Sequence, residues 1–422
     1  MIKPTEEIII IGAGAAGLIA ARELSKQYKV TVLEAAATTG GRIKTIYHNG
    51  AKAAEKGAEF VHGELPITLG LLNEAGLKYH LVNGQMFRVS NGKWTAEYEM
   101  ITNWDQLLEQ MENVPEDMTM QQFLDQHYPQ EQYAQLRKNI QGFVQGFDLA
   151  DITKVGIKYL LNEWANESEK NFRIEEGYTA MTDFLTTICR KQQCEIITNT
   201  TVTAVEWSAG KVNVRAANGQ SWSANKLVVT IPLGVLQKKT IAFTPAIPAY
   251  ISAANDIGWG TVIKTILQFK TPFWEKHAQQ IAFILSDAPI PTWWTQVPEK
   301  AYILTGWLGG PPAVPYIGQT DEQLQELALI SLANIFNETV DTLKDLLVDC
   351  HISNWATLPH VTGAYSYGTP ASVNALTVLH TPIENTIYFA GEALYNGTSP
   401  GTVEAALSTG EAVAAKIKET LS

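Results

Sequence analysis

The sequence predicts an α/β protein: a parallel sheet covered on both faces, interrupted by an inserted α+β region. Three observations predict it. An isoleucine-rich run from Glu7 to Ile11 ends at a glycine, an Ala- and Leu-rich stretch of helical character follows Gly14, and a second β-branched run spans Lys29 to Glu34. Together they make a βαβ unit within the first 34 residues. A strand buried on both faces reads as an unbroken apolar run, and the first run has that form.

The junction between the first strand and its helix reads Gly12-Ala-Gly14-Ala15-Ala-Gly17. In this position the first glycine makes the turn, the second lets backbone approach a pyrophosphate, and the third permits close helix packing. Amides at the helix start, from Ala15 onward, then face an anion. Glu34 stands 20 residues after Gly14, at the end of the second strand, where a carboxylate accepts both ribose hydroxyls and repels a 2′-phosphate. The predicted element is therefore a Rossmann-like dinucleotide site.

Farther along, 102–166 is rich in Glu, Gln and Leu, with Leu107, Leu108, Met111, Phe123 and Leu124 at helical spacing, which predicts a helical insertion. Strand character resumes at 194–197, 201–205, 211–215 and 226–231, with a turn at Asn218-Gly219. A Trp-bearing region from about Pro245 to Trp355 is expected to be largely helical, with one strand from Val262 to Phe269. Thr386 to Ala390 reads as strand and Gly401 to Lys418 as helix. Nucleotide-fold pattern thus occurs at both ends of the chain. The expected division is 1–79, 172–242 and 370–422 for nucleotide binding, with 80–171 and 243–369 for the substrate.

Composition narrows the partners. The 422 residues allow two or three domains, and 31 Lys+Arg against 43 Asp+Glu give a net charge of −12. That field repels nucleic acid and attracts a small cation. Three scattered cysteines, Cys189, Cys194 and Cys350, supply neither a disulfide framework nor a four-ligand zinc site, and read as reduced thiols in a cytoplasmic protein. The run from Ile8 to Ala21 is too short to span a bilayer and lacks a basic leader, so no membrane segment is expected. His277, His351, His360 and His380 lack ligand spacing, so no metal site is expected either.

A second glycine turn, Gly40-Gly41-Arg42, can bring a guanidinium to the pyrophosphate. With it the chain resembles the FAD-dependent amine oxidase family, which includes monoamine oxidases, polyamine oxidases and flavin histone demethylases. The resemblance runs in order through Gly57-Ala-Glu59-Phe60-Val-His62-Gly63, the Val202 segment, Val229-Thr-Ile-Pro-Leu233, Lys264 with Pro272-Phe-Trp274, Trp355 with Gly363-Ala-Tyr365-Ser, and Phe389-Ala-Gly391-Glu392 with Gly401-Thr402-Val403. It implies bound FAD. Glu34 would hold the adenosine ribose, Gly41 and Arg42 the pyrophosphate, and Val202 the adenine through its backbone. Gly57, Glu59, Phe60 and Trp355 would surround the flavin, with Gly391 and Glu392 at the ribityl or phosphate region. The helix start at Gly401, Thr402 and Val403 would face the pyrimidine edge.

Three residues are implied on the reacting side. Lys264, on a strand face shared with Val262 and Ile266, would stand in an apolar neighbourhood and hold a water near flavin N5 for the reaction with oxygen. Tyr365 would form one wall of an aromatic cage for a neutral amine, and His62 would hydrogen-bond a substrate amine, as in animal-type polyamine oxidases. Trp274, Trp293, Trp294, Trp307 and Trp355 are candidates for cavity walls or core. Ala364 stands where monoamine oxidases carry the flavin-linked cysteine, which implies non-covalent FAD, and Thr402 replaces their second cage tyrosine. The implied reaction takes hydride from the carbon beside an amine nitrogen, hydrolyses the imine and reduces oxygen to hydrogen peroxide. Small cationic amines, polyamines first, are the implied substrates. An L-amino acid oxidase, a C–C desaturase and a non-catalytic flavin-binding protein are the other readings.

Overall fold

The isoleucine run forms the strand Glu7–Ile11 at the centre of a five-stranded, all-parallel sheet, here described from a computed structural model covering residues 6–48, 51–97, 101, 103–168 and 170–421. The strand order is Glu195–Ile197, Lys29–Leu33, Glu7–Ile11, Lys226–Val229, Ile387–Phe389. Four distant pieces of chain therefore meet in one sheet. Alternate residues feed opposite cores, as the strand period of two requires. Ile8 and Ile10 pack with the helices Ala15–Leu24, Tyr178–Lys191 and Val403–Leu421, whereas Ile9 and Ile11 pack toward the four-stranded sheet of 202–244.

The insertion at 102–166 is helical, with helices Trp104–Glu112, Met120–His127, Ala134–Gly146 and Ile157–Trp164 around one apolar cluster. Thr102, where it is expected to begin, and the chain ends Met1 and Ser422 lie outside the described residues.

The expectation for 245–355 is overturned. This region builds most of a seven-stranded sheet, ordered Leu347–Asn354, Val262–Phe269, Ile303–Gly309, Thr292–Trp294, Ile281–Ser286, Gln85–Ser90, Lys93–Glu97. Its one long helix, Asp321–Phe336, covers the apolar face. The reason is burial: runs such as Ile303-Leu-Thr-Gly-Trp-Leu-Gly309 are covered on both sides and lose the alternation that marks a strand. Among the described residues no helix is long and apolar enough to cross a membrane.

Candidate active site

The nucleotide loop is built by close approach. Gly12 has φ +105°, and a Cβ at Gly17 would stand 2.0 Å from the Gly12 carbonyl oxygen, so neither tolerates a side chain. At Gly14 a Cβ would meet nothing within 4 Å, which leaves open space in front of the helix start. The helix Ala15–Leu24 has no side-chain cap at Gly14, and its buried first-turn amides await an acceptor. A pyrophosphate fits both observations. Glu34 is buried beside the loop, its Oε2 accepting from Ala13 N at 2.6 Å and its Oε1 from Ala36 N at 2.8 Å. A carboxylate has about four lone-pair sites, so two remain for ribose hydroxyls. Thr200 N donates to the Glu34 carbonyl at 2.8 Å, which brings the strand starting at Val202 alongside.

Across the loop, Gly41 packs on Gly14, and Arg42 reaches inward. Arg42 Nη1 donates to Glu392 Oε1 at 2.9 Å and to Ala364 O at 2.6 Å, with its guanidinium 5.2 Å from the Trp259 ring centroid. Glu392 Oε2 accepts from Ser366 Oγ at 2.8 Å. The structure thus joins Arg42 and Glu392, predicted separately from opposite ends of the chain. Gly391 precedes Glu392 and donates from N to Thr409 Oγ1 at 3.0 Å. Gly401 lies against the Tyr365 ring, with a built Cβ 3.2 Å from Cδ2. Thr402 Oγ1 accepts from Ala405 N at 3.1 Å and so caps the helix that Val403 begins.

Lys264 is 1% exposed, but its surroundings are not the apolar pocket expected from the strand period. Its Nζ donates to Glu59 Oε2 at 2.5 Å and to Gly57 O at 3.2 Å, and lies 5.5 Å from the Trp294 ring centroid. A buried ammonium needs a counter-ion, and the chain supplies one from a segment 205 residues away. Glu59 also accepts from Arg173 Nη1 and, at 2.9 Å, from Trp294 Nε1. Burial pushes the Glu59 carboxyl up, but Lys264 and Arg173 outweigh it and hold it down at about 2. Arg173 is 2% exposed and stacks its guanidinium 4.6 Å from the Phe60 centroid. Gly57 admits no side chain, since a Cβ would strike the Arg42 carbonyl oxygen at 1.8 Å, and Trp355 packs beside it.

A row of aromatic contacts runs from this ion cluster to Tyr365. Trp294 lies 5.7 Å from Phe60, Phe60 lies 6.0 Å from His62, and His62 lies 6.2 Å edge-on from Phe147. The Tyr365 hydroxyl donates to the Phe147 carbonyl. Burial pushes the His62 imidazole below its ordinary range, against the opposing effect of Asn171, so the ring is neutral at pH 7. Trp307 meets Trp294 at 5.8 Å, whereas Trp274 and Trp293 are core residues under the helix Asp321–Phe336.

Beyond Tyr365 the helical insertion contributes two carboxyls that sequence reasoning missed. Asp148 is 2% exposed; its Oδ1 accepts from Trp164 Nε1 at 3.3 Å, and its carboxyl hydrogen-bonds with that of Glu163, which also bonds Tyr159. Burial pushes both carboxyls up, Glu163 to about 8, and each acts on the other. Burial first, then Asp148, Glu163 and Glu392, push the Tyr365 phenol up as well. A polar residue closing an apolar helical run, as in Gly-Phe147-Asp148-Leu149, is the signal that marks Asp148 in the sequence.

A family model described as flavin containing amine oxidoreductase matches residues 15–418. Polyamine oxidase 4 of Oryza sativa subsp. japonica is 27% identical over 448 residues, covering 96% of this chain and 87% of that protein. Lysine-specific histone demethylase 2 of Homo sapiens is 26% identical over 448 residues, covering 98% of this chain. The chain spans 53% of that protein, and 30% and 53% of the next two histone demethylases. Among solved structures, cyclohexylamine oxidase from Brevibacterium oxydans IH-35A has a TM-score of 0.83 at 19% identity over 99% of this chain and 100% of that chain. Wild-type putrescine oxidase bound to putrescine gives 0.81 at 20% identity over 98% and 99%. These two share the fold. With the family match spanning nearly the whole length, the chain belongs to the flavin-containing amine oxidoreductases.

Proposed function

We propose that the protein is an FAD-dependent oxidase of small di- or polyamines. The observation that carries the substrate class is the buried Asp148 carboxyl, bonded to a second buried acid, Glu163, next to the residue whose carbonyl receives the Tyr365 hydroxyl. A carboxyl pushed up by burial regains its charge when an ammonium arrives, so the pair Asp148 and Glu163 suits the distal cation of an amine with two nitrogens. The net charge of −12 draws such a cation in.

The cofactor segments are 1–79, 172–242 and 370–422, and the substrate segments 80–171 and 243–369. The uncapped first turn at Ala15 takes the pyrophosphate, and Glu34 the ribose. FAD held by these residues would supply a hydride acceptor for the carbon beside the amine nitrogen and a two-electron donor that reduces oxygen to hydrogen peroxide. Without a cysteine at Ala364 the attachment is non-covalent. Tyr365 and Phe147 orient the amine, and the neutral His62 ring favours its unprotonated form. Lys264 keeps an ammonium in place with two of its three N–H groups committed to Glu59 and Gly57, which leaves one for water or oxygen. Water hydrolyses the imine to an aldehyde, releasing ammonia where a primary amine was oxidised and a shortened amine where a secondary one was. Cytoplasmic location completes the proposal.

Anaerobic mixing of the flavin-loaded protein with putrescine, spermidine, spermine, acetylated polyamines, phenethylamine and L-amino acids tests it. Di- and polyamines should bleach the flavin fastest. Bleaching by L-amino acids alone, or by nothing, defeats the proposal.

A further inference from the structure

We infer that His48, Asp349 and His351 form a binding site for a divalent transition metal ion, Zn²⁺ first among them. His48 ends the strand Thr45–His48, while Asp349 and His351 sit two apart on Leu347–Asn354 and so share one face of it. That strand is the edge of the seven-stranded sheet, and the hairpin carrying His48 lies across its flank. Sequence spacing conceals the group, because the two histidines are separated by most of the chain.

The geometry is that of ligands converging on one point. Asp349 Oδ2 stands 3.2 Å from His351 Nε2 and 3.7 Å from His48 Nε2, and all three donor atoms lie within 4.8 Å of one another. Bonds of about 2.0–2.1 Å in a zinc tetrahedron give ligand-to-ligand edges of about 3.3 Å. The measured pair of distances brackets that edge. His351 Nε2 is shielded from solvent and makes no hydrogen bond, although the carboxylate oxygen is 3.2 Å away. The ring nitrogen therefore stands beside a carboxylate oxygen without a hydrogen bond, as a ligand to a shared ion does. Asp349 is held ready, since Oδ1 accepts from Cys350 N at 2.8 Å and leaves Oδ2 turned to the imidazoles.

Two imidazoles and one carboxylate with a vacant fourth direction suit Zn²⁺, Co²⁺, Ni²⁺ or Cu²⁺, whereas Mg²⁺ and Ca²⁺ want oxygen donors. The His48 and Asp349 side chains are 55% and 38% exposed, so an ion reaches the shielded His351 nitrogen from their side without opening the core. Lys56 repels charge at His351, which favours a moderate rather than a very tight site. An ion there ties the paired strands Thr45–His48 and Ala51–Glu55 to the edge strand. The hairpin continues into Gly57 and Glu59, and Ser353 on the edge strand is the cross-strand neighbour of Lys264.

The test uses tag-free, flavin-loaded protein stripped with chelator, titrated with ZnCl₂ in a calorimeter and with CoCl₂ in a spectrophotometer. One Zn²⁺ per chain is expected with a dissociation constant below about 10 μM, with the intense visible bands of tetrahedral Co²⁺. His48→Gln and His351→Gln should each weaken Zn²⁺ by more than about tenfold while melting as wild type does in chelator. Absence of heat and colour up to about 1 mM metal overturns the inference. So does binding that keeps wild-type strength in both variants, which would place the ion on the thiols, or equal binding of MgCl₂. If a variant fails to fold, the wild-type Co²⁺ spectrum decides.

Discussion

Replacing Glu59 by glutamine keeps the side chain's size, removes its charge and leaves Lys264 and Arg173 as two buried cations without their common partner. The cost can be worked in two ways. The folded carboxyl sits at about 2 against 4.5 for a free glutamate, because Lys264 and Arg173 outweigh burial, and that gap corresponds to about 3 kcal/mol. Removing one member of a buried ion pair costs about 3–5 kcal/mol, in agreement. An unfolding entropy of about 2.1 cal/mol/K per residue over 422 residues converts this to a melting point lower by about 3–6 °C. Because the folded value is the lower one, the stabilisation is complete above pH 4.5 and lost as pH falls toward 2. Scanning calorimetry at pH 8 on wild type, Glu59→Gln, Lys264→Met and the double variant reads it out. The double variant should lose less than the sum of the singles, since one stranded cation has gone with its partner. A Glu59→Gln protein that melts with wild type at pH 8, or a gap that widens below pH 4.5, refutes the reasoning.

Acid denaturation should release free FAD into the filtrate, because Ala364 offers no sulfur for a covalent link; flavin that stays with the chain contradicts this. Tyr365→Phe removes the hydrogen bond to the Phe147 carbonyl and should cost about 1 kcal/mol of stability, yet keep amine bleaching within a few-fold. Tyr365→Ala should slow bleaching by about tenfold or more, and equal rates in the two variants remove Tyr365 from the cage. Asp148→Asn should raise KM for diamines by about 10-fold or more and leave monoamines unchanged. Burial pushes both Glu163, to about 8 from 4.5, and Asp148 upward, so folding weakens as pH rises through that window; Asp148→Asn removes one of the two buried acids and should flatten the slope, and an unchanged slope removes Asp148 from it.

The nucleotide half of the fold was legible because its signals are local. The isoleucine run, the three glycines and Glu34 lie within 28 residues, counting from Glu7 to Glu34, and each constrains backbone by itself. The sheet of 245–355 was misread because central strands such as Ile281–Ser286 and Ile303–Gly309 are apolar at all but one position each, and periodicity cannot separate them from a buried helix. The site shows the same divide. Lys264, Tyr365 and His62 are joined by the aromatic row, but the partners that define their chemistry come from far along the chain. Glu59 meets Arg173 across 114 residues and Lys264 across 205. Arg173 is a lone charge on the short strand Asn171–Ile174, and only the folded sheet shows that it faces Glu59.

The account stands or falls with stopped-flow measurement of both half-reactions in wild type and Lys264→Met, using whichever amine bleaches the wild-type flavin. It predicts anaerobic bleaching at similar rates in the two proteins and reoxidation by oxygen at least about 10²-fold slower in the variant. Reoxidation at the wild-type rate, or a wild-type flavin that no amine bleaches, contradicts it.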